Sequence, residues 1–479
     1  MLRSSWFSAF LSLCVLACGI NLTEAKDKDR PNIVLIMADD LGFEALSCNG
    51  STSYDTPQLD KIAANGMRFT HCYSQPVCTP SRNKIMTGRS NARNYKAFGN
   101  MDPTEITFGH IMQNAGYQTC IAGKWQLDGG GPGKGSTPKG SGFDQSCMWA
   151  YSKNLSQEEN EHYKAGIRGT RASNSRFWKP AIIENEKYRP TTMEDFGPDV
   201  YTEFIMDFME DNKREPFFVY FPMALTHSPF IPTPLHSKLT DAEKFQSKAE
   251  HFEGMIQYTG VIVQRIIDKT EELGIAENTL IIFTGDNGTG RGLISWMDDR
   301  LIMGGKALPI DAGCHVPMIA YWKGKIEPGT VNHNLVDFSD FFPTIAELGN
   351  AQIPTDRIID GHSFLPLLQG SKKNIRDTVI LHYDKDPNSS KPKFRRVRFA
   401  YNGEYKLYSN GNLFHIPTDW DEQQPISEKK LSKELQNVKT ELQTALDQLP
   451  AWEPDNSHFN GQADPETQKR LKLMQLNAK

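Results

Sequence analysis

The chain has 479 residues, 38% hydrophobic and 23% charged, which suffices for one large domain and a smaller one. A formal net charge of −5 without a basic stripe gives no support to nucleic-acid binding. Eight cysteines without a CxxC pair exclude a disulfide-dense scaffold and a cysteine-rich zinc site, and leave room for one or two disulfides.

The first 25 residues are typical of an export signal. A basic start (MLRSS) precedes an apolar stretch (WFSAFLSLCVLACGI) that is too short to span a bilayer. Two endings stay open. Small residues at Thr23 and Ala25 suit signal-peptidase cleavage, whereas VLAC resembles a bacterial lipoprotein box that would leave a lipid-anchored Cys18. We slightly favour the second, and we expect an exported protein: a periplasmic or cell-surface lipoprotein, or a secreted one.

Alternating strand and helix patterns follow. NIVLIMADDLG is an apolar run typical of a buried parallel strand; a helix (DTPQLDKIAANG), a strand-like piece (MRFTHCYSQ), a helix ending at Gly116 and a strand (YQTCIAGKW) come next. After an irregular region over residues 128–200 come a helix (VYTEFIMDFMED), a strand (PFFVYFPMAL), a long helix over 241–273, two strands (NTLIIFTGDNG, VPMIAYW) and a helix (DFFPTIAELG). The order predicts an α/β fold with a large mixed, mostly parallel sheet sandwiched by helices.

The composition changes near residue 372. VILHYD, FRRVRFAYNG and EYKLYSNGNLFHI are typical of antiparallel strands joined by Asn-Gly turns. One apolar face marks a following amphipathic helix: Leu431, Leu435, Val438, Leu442, Leu446 and Leu449. We therefore expect a large domain over residues 26–371 and a smaller α+β subdomain over residues 372–479, in which this helix packs against the small sheet.

The segment PVCTPSRNKIMTG places a cysteine at the start of a predicted helix. Pro80 suits the first helical turn, where its missing N–H costs nothing. Such a start directs free N–H groups and the positive end of the helix dipole outward. Arg82, one turn further on, adds a fixed positive charge. Cys78 is therefore expected where an anion is stabilised.

Two predicted strands end in paired oxygen ligands. Asp39 and Asp40 follow the first strand, and Asp286 and Asn287 follow the strand NTLIIFTG. Sites form at the carboxyl ends of strands in open α/β sheets, so we expect these side chains to meet. Three carboxylates would repel one another unless a hard cation such as calcium or magnesium lies between them. Zinc is less suitable, because no histidine or cysteine stands beside either pair.

PVCTPSRNKIMTG resembles, position by position, the signature of the type I sulfatases, formylglycine-dependent enzymes of the alkaline-phosphatase superfamily. Further segments follow in that family's order: PNIVLIMADDLG, AGYQTCIAGKW, ALTHSPF, TGDNG, GGK, VPMIAYW, DFFPTIAELG, DGHSFLPLL and YKLYSNGNLF. The resemblance spans residues 30–415. It implies an alkaline-phosphatase-like fold and sulfate ester hydrolysis by a secreted bacterial polysaccharide sulfatase.

The family relationship implies a covalent modification of Cys78. In type I sulfatases a formylglycine-generating maturation enzyme oxidises the signature cysteine to formylglycine (3-oxoalanine). Its hydrate attacks sulfur with one hydroxyl and expels sulfate through the other. Arg82 would orient this diol. One calcium ion, with magnesium as the alternative, would be held by the diol derived from Cys78 and by four side chains: Asp39, Asp40, Asp286 and Asn287.

The same resemblance assigns substrate-binding roles. Lys124 and Lys306 would bind the sulfate oxygens, and His227 would protonate the departing alcohol. GKWQLD replaces the family's usual GKWHLG, so Gln126 stands where a histidine is common. Glutamine can hydrogen-bond the sulfate or the diol but carries no proton at neutral pH. His315 likewise replaces an arginine of the family pattern.

The expected substrate is a sulfated carbohydrate, for example an algal oligosaccharide. Two loops carry aromatic and charged candidates for sugar binding: His162, Tyr163, Arg168, Arg171, Arg176, Phe177 and Trp178 in the first, and Trp296, Asp298, Asp299 and Arg300 in the second. Two alternatives remain: a phosphonate or phosphodiester hydrolase of the same superfamily, and an exported glycan-binding protein on a sulfatase scaffold. The complete nucleophile and metal set favours an enzyme.

Overall fold

The computed structural model describes residues 30–129, 134–164, 176–236, 238–385, 387 and 396–452, so the predicted export signal, Cys18, Arg168 and Arg171 lie outside the described residues. The strands are β1 Asn32–Ala38, β2 Met67–Tyr73, β3 Gln118–Lys124, β4 Gln145–Trp149, β5 Ile182–Glu184, β6 Lys187–Arg189, β7 Phe217–Pro222, β8 Thr279–Gly285, β9 Ile294–Met297, β10 Arg300–Met303, β11 His315–Tyr321, β12 Thr330–Asn332, β13 Val336–Asp337, β14 Val379–Tyr383, β15 Val397–Tyr401, β16 Tyr405–Tyr408 and β17 Leu413–His415.

The α-helices are α1 Pro57–Ala64, α2 Cys78–Thr87, α3 Asn91–Asn94, α4 Phe108–Asn114, α5 Gln157–Lys164, α6 Gly197–Asp211, α7 His251–Glu272, α8 Asp311–Cys314, α9 Phe341–Gly349, α10 Leu365–Leu368 and α11 Lys433–Asp447. Short 3-10 turns occur at Phe43–Ala45, Ser47–Asn49, Lys139–Ser141, Ser152–Asn154, Glu243–Phe245, Ala276–Asn278, Phe338–Asp340 and Glu428–Lys430. Among the described residues, no helix combines the length and apolar character needed to cross a membrane.

Within the described chain, the large sheet has 11 strands in the order β12-β2-β11-β8-β1-β7-β3-β4-β5-β6, with β13 paired to β2. Its central strands β8, β1, β7, β3 and β4 are parallel, whereas β11 and the β5–β6 edge are antiparallel. The predicted mixed, mostly parallel sheet is confirmed.

Both faces of the sheet are covered. Val34 and Ile36 of β1 pack into the core beneath α1, α6 and α7, while Ile33 and Leu35 pack on the opposite face with α2, α4 and α9. Because alternate residues of β1 enter two different cores, the strand must be apolar throughout. This explains the uninterrupted NIVLIMA run.

A smaller antiparallel sheet, β14-β15-β16-β17, follows the large one in sequence. Leu442 and Leu446 of α11 pack against Ala400, Leu407 and Leu413 of this sheet. The predicted C-terminal strands and amphipathic helix are therefore confirmed. The domain boundary at residues 371 and 372 stays a prediction.

The long helix predicted over residues 241–273 is wrong over its first ten residues, because α7 begins at His251. Residues 243–245 instead form a single 3-10 turn. Lys244 in that turn is buried, and its amine donates to the Met193 carbonyl at 2.9 Å. That tertiary contact outweighs local helix propensity.

Candidate active site and cation site

β1 and β8 are paired side by side, with Ala38 opposite Gly285. Their carboxyl ends therefore deliver Asp39–Asp40 and Asp286–Asn287 to one sheet edge. The Asp40 N–H donates to Asp286 Oδ1 at 3.0 Å, and Asn287 Nδ2 donates to Asp40 Oδ1 at 2.9 Å. Asp40 has a left-handed backbone, with φ of 63°. The structure thus brings together all four oxygen-bearing residues expected from the sequence.

Helix α2 begins at Cys78, and all ten of its residues are buried. Its entrance is held by Ser81, whose hydroxyl donates to the Val77 carbonyl at 3.0 Å and accepts from the Gln75 N–H at 3.0 Å. Gly88 ends the helix with φ of 68°, a conformation that favours glycine. These contacts fix the position of Cys78 against the carboxylates.

Three basic side chains reach the same carboxylates. Lys124, the last residue of β3, donates to both oxygens of Asp39 at 2.9 and 2.7 Å. Lys306 donates to Asp40 Oδ2 at 2.5 Å. Arg82 lies 3.5 Å from Asp286 Oδ2 and donates to the Lys124 carbonyl at 2.6 Å. The predicted sulfate-binding lysines and the predicted diol-orienting arginine therefore surround one site.

The loop after β7 carries His227 to this edge. Its backbone continues the pairing beyond β1, because the Asp39 N–H donates to the Leu225 carbonyl at 2.6 Å and the Thr226 N–H to the Asp39 carbonyl at 2.7 Å. His227 Nδ1 donates to the Ser228 carbonyl at 2.6 Å. Nε2 is left facing Asp40 Oδ2 at 3.6 Å.

Burial and neighbouring charges shift the pKa values of Asp286, Asp39 and His227 by different amounts and in different directions. Burial, reinforced by the charge of Asp39, raises the pKa of Asp286 to about 8. Burial also tends to raise the pKa of Asp39, but the charges of Lys124 and its basic neighbours hold that pKa well below its usual value. Burial lowers the pKa of His227 to about 4. At neutral pH and without a bound cation, Asp39 is therefore ionised, Asp286 is mostly protonated and His227 is neutral.

The donor set fits a hard cation. A carboxylate oxygen of Asp39, one of Asp286 and the Cys78 sulfur lie within 4.8 Å of one another, as do ligand atoms of Asp39, Asp40 and His227. Asp286 Oδ2 and Asn287 Oδ1 are buried and have no hydrogen-bond partner among the described residues. Buried acceptors without donors carry an energetic cost that a bound cation removes. The oxygen-rich set suits calcium or magnesium.

Gln126 and His315 mark the departures from the family pattern. Gln126 is half-buried with φ of 54°, two residues after Lys124. His315 stacks on Phe43 at 4.0 Å between ring centroids, and its Nε2 donates to the Thr70 carbonyl at 2.8 Å. His315 therefore supports the start of β11, where its Nδ1 also lies 3.2 Å from Asp311 Oδ2.

Of the loop candidates, Arg176 reaches the site, with NH1 3.7 Å from Asp39 Oδ2. Its neighbours Trp149 and Tyr151 were missed from the sequence. Reading QSCMW as a parallel strand beside β3 would have found them, because β4 places Trp149 opposite Lys124.

The other described candidates of that loop serve packing. Phe177 and Trp178 are buried in the main core, and Tyr163 is buried in a small separate cluster. His162 pairs with the Tyr188 hydroxyl at 3.0 Å.

The second loop forms the β9–β10 hairpin, which pairs Trp296 with Leu301. The Arg300 guanidinium lies over the Trp420 ring at 5.5 Å. The remaining candidates of this second loop, Asp298 and Asp299, connect strands β9 and β10. The six described cysteines, including Cys78, are free thiols.

A sequence profile of the family described as Sulfatase matches residues 31–351, and one described as N-sulphoglucosamine sulphohydrolase, C-terminal, matches residues 294–451. Arylsulfatase A of Homo sapiens is 32% identical over 414 residues, covering 83% of this chain and 77% of that protein. N-acetylgalactosamine-6-sulfatase of Mus musculus is 30% identical over 409 residues, covering 78% of this chain and 73% of that protein.

Solved structures share the fold. Ps i-CgsB in complex with k-i-k-neocarrahexaose superposes with a TM-score of 0.68 at 22% identity, covering 93% of this chain and 98% of that one. The phosphonate monoester hydrolase of Agrobacterium radiobacter superposes with a TM-score of 0.64 at 17% identity, covering 88% and 95%. At these identities the likeness concerns the fold alone.

Proposed function

The chain belongs to the sulfatase family, and we propose that it removes sulfate from a sulfated carbohydrate, using a formylglycine made from Cys78 and one calcium ion. It is a sulfate ester hydrolase with an alkaline-phosphatase-like fold. One observation carries the finer proposal: Cys78 begins a buried helix within 4.8 Å of ligand atoms of Asp39 and Asp286. A packing cysteine would need neither the carboxylates nor the surrounding lysines.

Each side chain has a proposed role. The formylglycine would supply a hydrated aldehyde as nucleophile, and the cation would supply positive charge that favours its ionised form. Arg82, held by the Lys124 carbonyl, would keep the hydrated group oriented. Lys124 and Lys306 would move from their carboxylate partners toward the sulfate oxygens, and the Gln126 amide would add a hydrogen bond.

His227 would serve the leaving group. Since Nδ1 is committed to the Ser228 carbonyl, Nε2 is the nitrogen that can carry a transferable proton. The low pKa of His227 makes its protonated form a strong acid, although that form is scarce at neutral pH. A poor leaving group such as a sugar alcohol gains most from such an acid.

The proposed substrate is an oligosaccharide derived from a sulfated polysaccharide, for example an algal glycan. The relative named N-acetylgalactosamine-6-sulfatase supports a sugar sulfate as the general class. We further propose a bacterial, exported protein, periplasmic, cell-surface or secreted, with a lipid anchor on Cys18 as the favoured form. A formylglycine-generating enzyme would be its maturation partner.

Turnover by the matured protein tests the proposal. The full chain is produced with a formylglycine-generating enzyme and incubated with sulfated oligosaccharides in calcium, and released sulfate is measured by ion chromatography. We expect sulfate release from at least one sugar and none from a Cys78→Ala protein. Faster cleavage of aryl phosphonates or phosphodiesters would favour the phosphonate-hydrolase alternative. Glycan binding without turnover would favour the binding-protein alternative.

A further inference from the structure

Arg176 is a buried arginine, and two of its hydrogen-bond donors, Nε and NH1, lack acceptors among the described residues. Its Cζ lies 4.3 Å from the centroid of the Trp149 ring, and NH1 lies 3.7 Å from Asp39 Oδ2. Among the described residues, Arg176 Nε and NH1 form no hydrogen bond, and neither does the buried indole N–H of Trp149. Leaving several buried donors unsatisfied is unfavourable unless a ligand supplies acceptors.

Arg176 and Trp149 lie beside Lys124, which is predicted to bind the sulfate. Because β3 and β4 are parallel neighbours, Trp149 stands opposite Lys124 at the same sheet edge. The Tyr151 ring centroid lies 4.5 Å from that of Trp149, and Lys153 Nζ lies 5.1 Å from the Tyr151 ring. Lys153 is exposed. Aromatic and basic side chains therefore continue from the buried site to the surface, as suits a sulfated sugar.

The site contains more basic than acidic side chains, which favours binding of a second anion. Three carboxylates meet four basic side chains at the site: Asp39, Asp40 and Asp286 against Arg82, Lys124, Arg176 and Lys306. A divalent cation would increase this positive excess. With that cation bound, one sulfate monoester, which carries a single negative charge, would leave a net positive charge at the site.

We propose that Arg176 binds a second anionic substituent, a sulfate or a carboxylate, on the carbohydrate whose sulfate ester is cleaved. The inference rests on the proposed function and narrows its substrate class to sugars that carry at least two anionic groups. The planar guanidinium can donate two parallel hydrogen bonds to either anion. Tyr151, which is half-buried beside Trp149, would contact the sugar ring.

Matched substrates test this assignment. N-acetylglucosamine 6-O-sulfate is compared with D-glucosamine-2-N,6-O-disulfate, and a sulfated uronate disaccharide with its carboxyl-reduced form, on matured wild-type, Arg176→Gln and Arg176→Lys proteins. We expect Arg176→Gln to raise KM for a doubly anionic substrate about tenfold more than for its singly anionic partner. The effect of Arg176→Lys on KM should lie between those of the wild-type residue and Arg176→Gln, since lysine keeps the positive charge but cannot donate two parallel hydrogen bonds. Arg214→Gln, at an exposed position, is the control.

Binding provides a second readout. Calorimetric titration of the same sugar pairs into Cys78→Ala protein should show the same selectivity for the second anion and its loss with Arg176→Gln. The assignment would be overturned if Arg176→Gln changed KM equally for both members of each pair. It would also be overturned if the wild-type protein preferred the singly anionic member in both pairs. In either case, hydrolysis of an aryl sulfate would still support the proposed function. The two pairs distinguish a second sulfate from a carboxylate. Absence of sulfate ester hydrolysis together with absence of selective binding would overturn both.

Discussion

Replacing Cys78 by alanine removes one sulfur atom from a helix entrance held by other residues. Ser81 holds Val77 and Gln75 whichever residue occupies position 78. We therefore expect Cys78→Ala to abolish sulfate release while far-ultraviolet circular dichroism and the melting temperature change little. Peptide mass spectrometry of active wild-type protein should find formylglycine at position 78. Full activity with an unmodified thiol there would contradict the proposed nucleophile.

The leaving group decides how much His227 matters. Gln126 removes one titratable group from the usual family site, so His227 is the remaining motif histidine available for proton transfer. We expect His227→Ala to reduce hydrolysis of a sugar sulfate by about 10²–10⁴-fold and that of an activated aryl sulfate much less. Steady-state kinetics on both substrates measure the difference. Equal losses would remove His227 from the acid role.

We expect Asp286 to link pH to the proposed cation binding. Its pKa rises from 3.8 in an unperturbed carboxyl to about 8 in the fold, so the folded state binds this proton more tightly than the unfolded state. Without cation, this group should lower the free energy of unfolding as pH rises from about 4 to 8. Calcium must displace this proton from Asp286 at pH 6, whereas at pH 8 much of Asp286 is already deprotonated.

We therefore expect calcium to raise the melting temperature more at pH 8 than at pH 6. Differential scanning calorimetry in calcium and in chelator gives the comparison. In the calcium-free protein, Asp286→Asn should remove the expected fall in the free energy of unfolding between about pH 4 and pH 8. A calcium effect that is the same at both pH values would show that Asp286 is not a ligand titrating in this range.

At the scale of elements, the small sheet supports the loop that carries Lys306. Lys406 of β16 is buried, and its amine donates to the Pro309 carbonyl at 2.8 Å and to Glu422 Oε1 at 2.8 Å. Glu422 Oε1 also accepts from the Asp311 N–H at 2.7 Å. This C-terminal segment therefore fixes the backbone just after Lys306 without entering the site.

Lys406→Met should weaken both folding and catalysis. Breaking a buried ion pair costs about 3–5 kcal/mol because the remaining charge stays buried. Small displacements of a charge-stabilising group reduce rates, so we expect kcat/KM to fall by about 10–10²-fold at temperatures where the variant is folded. Lys430→Met, at an exposed position, is the matched control. A lower melting temperature with unchanged kcat/KM would limit the small sheet to a stabilising role.

Elements that are apolar over a whole strand could be predicted from sequence, because β1, β7 and β8 are buried on both sides. The meeting of Asp39 with Asp286 followed from the rule that parallel strands end at one edge. The short strands β5 and β6 could not be predicted, since three residues carry no periodicity. The position of Arg176 depends on tertiary packing over Trp149, which local sequence does not encode.

At the scale of the whole molecule, the two proposed endings of the export signal predict two different mature N-termini. Cys18 closes the apolar run, while Ala25 lies in polar sequence seven residues beyond, so we expect a mature chain that begins at a lipid-modified Cys18. Intact-mass analysis of the native protein measures this end. A mature chain beginning at Lys26 would exclude the anchor.

The burial of α2 bears on when the proposed modification of Cys78 could take place. Cys78 is 4% exposed, Lys84 of the same helix is tied to Asp337 at 2.7 Å, and its amine also donates to the Ile380 carbonyl at 3.3 Å. The proposed maturation enzyme would need access to Cys78 and the residues after it, which the folded protein buries in a helix. We therefore expect the proposed modification to take place on the newly made chain, before Asp337 and Ile380, 253 and 296 residues after Lys84, pack against the helix.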